Sequence, residues 1–265
     1  MGTNIRAFTI TKKVSLDELR NKTAAIDMSQ LYYRCMSVFR TNEGLFANSD
    51  GVVTAHIYGA LRYFMQLAAL NITPICVYDG LPPQLKAAQC TQRKERKMVA
   101  REKESEFIAK REQYVKAYTP IEYYKALKKL SAQTVSLTGD NVASLIAVTN
   151  ALGYSHLKID YEEGEKVCAT LVKNGLADFI ISRDSDVLHF GSSAYYDLDF
   201  KKMQATKRDL QLTLATYNIS HQELRLLTIA AGNDYTPGLR KVGFKIGLKL
   251  LKNNLLAEKV SEYSW

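Results

Sequence analysis

Apolar positions along the chain alternate between two periods, the short runs of strands and the three-to-four spacing of amphipathic helices. Thr23 to Asp27 reads as a short strand, followed by helical spacing from Ser29 and a second helix that begins after Gly51 and runs to about Leu70. Thr73-Pro74-Ile75-Cys76-Val77-Tyr78 is a β-rich apolar run that stops on Asp79-Gly80. Helix Asn141 to Leu152, strand His156 to Ile159, helix Glu163 to Lys173 and strand Asp178 to Ser182 continue the rhythm. Strands that alternate with helices predict an α/β fold with a mostly parallel central sheet flanked by helices. From Thr206 onward the spacing reads as helical, with Pro237-Gly238 and Gly243 marking a turn-rich hairpin between two helices.

Between Gln84 and Leu130 apolar spacing weakens and charge dominates, as in Gln92-Arg93-Lys94-Glu95-Arg96-Lys97 and Arg101-Glu102-Lys103-Glu104. Such a run is usually a solvated helix laced with ion pairs four residues apart. This one leaves the sheet directly after Asp79, so its base belongs beside whatever the strand ends build. Pro120 divides it into two helices, with Tyr114, Tyr118, Tyr123 and Tyr124 around the break. Too few apolar residues remain to dock it firmly, so it is expected to act as a gate that a bound strand orders. No internal repeat or low-complexity linker is present, and the whole chain, residues 1–265, reads as one domain.

Composition narrows the function classes. The 265 residues are 46% hydrophobic and 24% charged, ordinary for a globular protein. Lysine and arginine number 36 against 27 aspartate and glutamate, a formal charge of +9 that suits a phosphate-backbone binder. The four cysteines Cys35, Cys76, Cys90 and Cys168 form no C-x-x-C pair and have no histidine at ligand spacing, which argues against zinc and for a reducing compartment. No signal-peptide region or membrane-length apolar run is seen, so an intracellular, soluble protein is expected, in a nucleus or at a viral replication site.

The acids carry the chemistry. Asp27 and Asp79 close apolar strands, at the edge where a parallel sheet presents its ligand site. Asp184 and Asp186 follow the strand Phe179-Ile180-Ile181-Ser182, Glu163 and Glu165 open a helix, and Asp234 follows the apolar helix Leu224 to Ala231. Each has a structural explanation as a cap or a turn residue. Converging at one sheet edge, they would repel unless cations neutralised them, and hard oxygen ligands favour magnesium or manganese.

Ala25-Ile26-Asp27, Val77-Tyr78-Asp79-Gly80-Leu81-Pro82-Pro83-Gln84-Leu85-Lys86, Glu163-Gly164-Glu165, Asp184-Ser185-Asp186-Val187-Leu188-His189-Phe190-Gly191 and Gly232-Asn233-Asp234-Tyr235 resemble the successive motifs of the flap endonuclease family, in that family's order. The resemblance runs from Met1-Gly2 to about Leu251. It implies a PIN-like 5′-nuclease fold with a helical arch (residues 84–130) and a helix-two-turn-helix region (224–253). It implies further that Asp27, Asp79, Glu163, Glu165, Asp184, Asp186 and Asp234 hold two Mg2+ ions, with Mn2+ as a substitute. The ions would lower the pKa of an attacking water and clamp the scissile phosphate, leaving a 5′-phosphate.

Lys86 and Arg93, seven residues apart, should project from one helical face as the catalytic basic pair of the arch. Tyr33, with Tyr32 as the competing candidate, matches the residue on which the family stacks an unpaired nucleotide. Gly2 and Lys97 are further expected DNA contacts. Leu239-Arg240-Lys241-Val242-Gly243-Phe244-Lys245-Ile246-Gly247 resembles the turn that holds duplex DNA, often with K+. The family usually has G-x-G there, whereas this chain has Lys241 before Val242-Gly243 and Phe244 where proline is common, so Lys241 and Lys245 are expected to contact phosphate directly.

The expected partner is branched or 5′-ended DNA bound by a monomer, with no membrane and no recognisable tail for a sliding clamp. A 5′ to 3′ exonuclease or an RNA-directed nuclease of the same fold is the nearest alternative, and a catalytically inactive DNA-binding scaffold is the alternative of another class. Retention of all the acids argues against the scaffold.

Overall fold

The computed structural model describes residues 8–39, 45–117 and 119–261. Gly2 and Tyr118 therefore lie outside the described residues. Contacts gather the chain into two compact units, the first formed by residues 1–28, 66–86 and 155–265 and the second by 29–65 and 87–154. Among the described residues no helix is long and apolar enough to cross a membrane.

The first unit is built on a seven-stranded sheet. Its strands are β1 (Thr11–Ser15), β2 (Thr23–Asp27), β3 (Thr73–Tyr78), β4 (Ser155–Lys158), β5 (Phe179–Ile181), β6 (Ala194–Asp199) and β7 (Gln204–Asp209), in the spatial order β1-β7-β6-β5-β2-β3-β4. The five strands β6-β5-β2-β3-β4 run parallel, β2 to β5 as the alternation predicts and β6 as a strand it did not mark, and β7 and β1 close one edge antiparallel. The central strands are apolar on both faces: Ala24, Ala25 and Ile26 on β2 and Phe179, Ile180 and Ile181 on β5 are all buried. Register then levels their ends. Ile26 stands beside Ile181 and Asp27 beside Val77, so Asp27, Asp79 and the loop after Ile181 emerge at one sheet edge.

The antiparallel edge corrects the reading of the chain from Thr206 as helical. Residues 204–209 form β7, and the helices begin only with α8 (Leu210–Tyr217), where Asp209 caps the first turn by accepting from the Leu212 N–H at 3.0 Å. The strand escapes notice because alternate positions carry charge: Lys207 pairs with Asp209 at 2.7 Å, and Lys13 on β1 donates to Thr206. Helix α7 (Gly164–Lys173) packs against β2, β3 and β5, burying Val167, Cys168 and Leu171 with Ala25, Val77 and Ile180. Helices α9 (His221–Ala231), α10 (Phe244–Lys252) and α11 (Leu256–Ser261) pack on one another, and Phe244 stacks on Phe8 with ring centroids 4.1 Å apart.

The second unit is helical, with α1 (Met28–Val38) and most of α2 (Ala55–Ala69), then α3 (Ala87–Ala109), α4 (Arg111–Ala117), α5 (Pro120–Thr134) and α6 (Gly139–Ala151). Helices α1 and α2 cross closely at Gly59, where a Cβ would stand 2.5 Å from the Cys35 sulfur. The charged run forms three helices rather than two. Pro120 occupies the first turn of α5, and Thr119 and Glu122 form a reciprocal capping box around it. Within the run the helices pack on one another. Phe107 on α3 stacks on Tyr114 at 4.4 Å and on Tyr123 at 4.9 Å, and Ser131 on α5 hydrogen-bonds Glu104 on α3. Three aromatic rings at one crossing hold a hairpin whose remaining surface is solvated.

Candidate functional site

The seven acids lie on the first unit, delivered by strand ends, by the loop after β5, by the start of α7 and, for Asp234, by the turn after α9. Asp27, the last residue of β2, is only 2% exposed. A buried carboxylate requires donors or cations nearby. One donor is Ser182, the first residue after β5, whose hydroxyl lies 3.3 Å from an Asp27 oxygen. The same hydroxyl accepts from the Asp184 N–H at 3.0 Å, and the Asp184 carboxylate accepts from the Asp186 N–H at 3.1 Å. Ser182 thus joins the loop of Asp184 and Asp186 to the end of β2. Sequence reading passed over it, although its place between an apolar strand and the D-x-D pair was a signal.

Asp79 follows β3 directly, and its carboxylate accepts from the Gly164 N–H, the first residue of α7, at 2.7 Å. Gly80 is required beside it. A Cβ there would meet the Ile159 carbonyl oxygen at 2.1 Å, and the Gly80 N–H donates to the Glu162 carbonyl at 3.0 Å, so the β4 to α7 connection lies against it. Gly164 is equally constrained, because a Cβ would stand 2.8 Å from an Asp79 oxygen and 3.9 Å from one of Asp27. Only a side-chain end would have to move. Gly164→Ala is therefore expected to fold with a near wild-type denaturation midpoint while cleavage falls about 10- to 100-fold, since carboxylate displacements of well under 1 Å matter at such a site. Unchanged single-turnover rates would show that the Asp79 rotamer is immaterial.

Glu163 and Glu165 flank that glycine. Burial raises the Glu165 carboxyl well above its usual range, and the charges of Asp27, Asp184, Asp79 and Glu163 raise it further. Those sources come from four separate chain segments, so four acids act on Glu165. On the other side of the cluster Glu163 accepts hydrogen bonds from the Tyr235 hydroxyl and the Lys86 ammonium. Lys86 also lies 3.3 Å from Asp234, and its Nζ stands 4.8 Å from the centre of the Tyr235 ring. Burial pulls the Lys86 pKa down, yet Glu163, Asp234 and Glu165 outweigh it and hold the pKa above its ordinary value. Tyr235, inside the quoted D-Y motif but given no role by sequence reading, ties Glu163 to the α9–α10 turn.

Residues 84–86 form a single tight turn, closed by the Lys86 N–H donating to the Pro83 carbonyl at 2.9 Å, and α3 follows directly from Ala87. Lys86 is 7% exposed and belongs to the first unit, whereas Arg93 is exposed on α3 of the second.

The donor set suits a hard divalent cation. Every candidate ligand is a carboxylate oxygen, and a cation beside Glu165 would recover the cost of holding that group ionised among four other acids. Among the described residues, no three carboxylate, imidazole or thiol groups close round one point as a finished ligand shell. The local positive charge in this arrangement is Lys86.

The expected DNA contacts fall into two groups. Tyr33 and Lys97 are both in the second unit, with the Lys97 ammonium 5.7 Å from the centre of the Tyr33 ring. Tyr33 is 40% exposed, whereas Tyr32 is buried and donates its hydroxyl to the Ser136 carbonyl at 2.9 Å. Exposure thus leaves Tyr33 the freer ring for stacking. Lys241, Gly243 and Lys245 are exposed on the α9–α10 turn and the start of α10, whose first turn Gly243 precedes. Lys241 has φ +62°, the left-handed backbone that glycine adopts without strain.

Comparison with known proteins follows the same order of segments. The XPG N-terminal domain family matches residues 3–100, and the XPG I-region family matches residues 160–234. Flap endonuclease 1 of Methanococcus aeolicus is 30% identical over 270 residues, covering 99% of this chain and 78% of that protein. Among solved structures, a flap endonuclease-1 from Methanococcus jannaschii matches with a TM-score of 0.74 and 24% identity over 100% of this chain and 81% of that one. The catalytic core of Rad2 in complex with DNA substrate matches with a TM-score of 0.65 and 23% identity, covering 92% of this chain and 64% of that one. The two structural likenesses establish the fold, a mostly parallel sheet of the PIN-like nuclease type.

Proposed function

The chain belongs to the flap endonuclease family, and from that premise we propose that its carboxylate cluster is the active site of a structure-specific 5′ nuclease acting on flap DNA. The family is metal-dependent. In this reading Asp27, Asp79, Glu163, Glu165, Asp184, Asp186 and Asp234 hold two Mg2+ ions, with Mn2+ able to replace them. The observation that supports it most is the convergence of charge on Glu165 from Asp27, Asp79, Glu163 and Asp184, an arrangement without structural benefit unless cations offset it. When bound, the ions supply a stronger attacking water and neutralise charge developing on the scissile phosphate.

The protein side chains supply position and screening. Ser182 holds Asp27 and the Asp184 backbone in register, and the Gly164 N–H fixes the Asp79 carboxylate. Lys86 brings a positive charge to the cluster, where it would stabilise a phosphate oxyanion. Arg93 acts from the arch, residues 84–130, and Tyr33 with Lys97 offers a ring and a cation to an unpaired nucleotide and its phosphate. Gly2 completes the set of DNA contacts carried over from the family.

Duplex DNA is gripped by Lys241, Lys245 and the backbone around Gly243, with the Lys241 ammonium supplying positive charge at the turn where the family often recruits potassium. Lys241→Gly separates the two consequences of this residue. It is expected to raise stability by up to about 1 kcal/mol, because the left-handed backbone no longer carries a Cβ. It is also expected to reduce the slope of log affinity against log salt by about 0.9, one phosphate contact. Denaturant unfolding and salt-dependent binding to nicked duplex measure both. An unchanged salt slope would place the duplex grip elsewhere.

The decisive experiment is a panel of end-labelled flap, nicked, blunt-ended and RNA substrates with Mg2+, Mn2+ or a chelator. Cleavage near the base of a 5′ flap, abolished by the chelator, is the expected result. Cleavage that survives chelation would overturn the metal reading, and preferential hydrolysis of RNA or of blunt ends would replace the flap assignment.

A further inference from the structure

Lys86 lies against two of the carboxylates assigned to metal above. It is 7% exposed, is ion-paired with Glu163, stands 3.3 Å from Asp234 and faces the Tyr235 ring at 4.8 Å. A buried ammonium holds such a position only while its anionic partners remain available, since an unpaired buried charge is strongly destabilising. Both partners are in the carboxylate set assigned to metal above. Glu163 and Asp234 cannot give their full charge to an ammonium and to a divalent cation at once, because the two cations would repel at contact distance.

The chain around Lys86 suits an exchange. Its backbone is held by the turn to Pro83, while its four-carbon stem can swing the ammonium without moving that turn. We propose, resting on the metal reading of the carboxylates, that Lys86 is a resident counter-ion that competes with the divalent cation for Glu163 and Asp234 and leaves them when the cation binds. Before metal binds, Lys86 keeps the acids from repelling one another. Once displaced, the same ammonium is free for a substrate phosphate, so metal binding and phosphate binding are coupled through one side chain and the coupling is reciprocal. Tyr235 stays with Glu163 throughout and keeps that carboxylate oriented while the ammonium moves.

The test reads metal binding itself. Mn2+ affinity is measured from the electron paramagnetic resonance signal of the free ion, and thermal midpoints are taken with and without Mg2+. Lys86→Met is expected to bind Mn2+ about tenfold tighter than wild type, to melt lower without metal and to show a larger rise when Mg2+ is added. Lys166→Met removes a charge one residue from Glu165, from an exposed lysine paired with Glu162 at 2.8 Å, and is expected to change affinity less than about twofold. Lys86→Arg keeps the charge and the ion pair, and so guards against a Lys86→Met variant that does not fold. It is expected to bind Mn2+ no more tightly than wild type.

Equal Mn2+ affinity in wild type and Lys86→Met would overturn the exchange while leaving the metal reading intact. So would an equal gain in Lys166→Met, which would mean diffuse electrostatics, or tighter binding in Lys86→Arg. Failure of wild type and Lys86→Met alike to bind Mn2+ would overturn the metal reading itself and this proposal with it.

Discussion

Alanine at Asp184 or at Asp186 is expected to reduce single-turnover cleavage of a 5′-flap substrate more than about a thousandfold, while binding to the same DNA stays within a few-fold of wild type. The two effects separate because different groups carry them. In the proposed reading these acids hold metal, whereas phosphate affinity comes from lysines elsewhere, among them Lys241 on the α9–α10 turn and Lys245 at the start of α10. Removing one acid also relieves repulsion, so each variant should fold at least as stably as wild type when no metal is present. Substantial turnover by either variant would refute the two-metal assignment, and lost DNA binding with intact folding would mean that the cluster holds substrate in its own right.

The second large effect is expected at Gly238. Two backbone strands of the α9–α10 turn touch there: a Cβ on Gly238, whose φ is +75°, would stand 2.3 Å from the Gly232 nitrogen, and one on Gly232, at φ +87°, would stand 2.6 Å from the Pro237 carbonyl oxygen. Neither obstacle is a flexible side chain. Between them Asn233 closes the turn, its amide oxygen accepting from the N–H groups of Tyr235 at 2.8 Å and Thr236 at 3.0 Å. Asp234 and Tyr235 are thus carried on the tip of a loop whose base admits no side chain. Gly238→Ala is expected to lower stability by about 3 kcal/mol or more and to remove activity by displacing both residues. A denaturation midpoint near wild type would show that the turn has room the geometry denies.

The alternation of strands and helices was legible from the residues because both elements bury a defined face, and burial writes its period into the chain. Four of the five parallel strands, β2, β3, β4 and β5, follow from that rhythm together with apolar runs such as Phe179-Ile180-Ile181, while β6 does not. The order of the acids was legible too, since each stands at a helix start or at or just beyond the end of a strand or helix that local pattern already marks. Pro120 marked a helix boundary in the charged run for the same local reason, and α5 starts on it.

The antiparallel edge was not legible. Strands β1 and β7 bear Lys12, Lys13, Lys207 and Asp209 at alternate or adjacent positions, and their pairing depends on a neighbour far along the chain rather than on an apolar run. Local pattern also could not place Lys86. Helical spacing said nothing of the carboxylates it joins, Glu163 and Asp234, which hold its pKa above the ordinary value in spite of burial. The hydrogen bond from Tyr235 to Glu163 joins residues 72 apart, and that between Ser182 and Asp27 joins residues 155 apart. Residue identity thus determined which groups were available and in what order, because charge and periodicity are properties of the local chain. Which of them touch, and so where the negative potential peaks and what answers it, was decided only when the sheet brought distant strand ends to one edge.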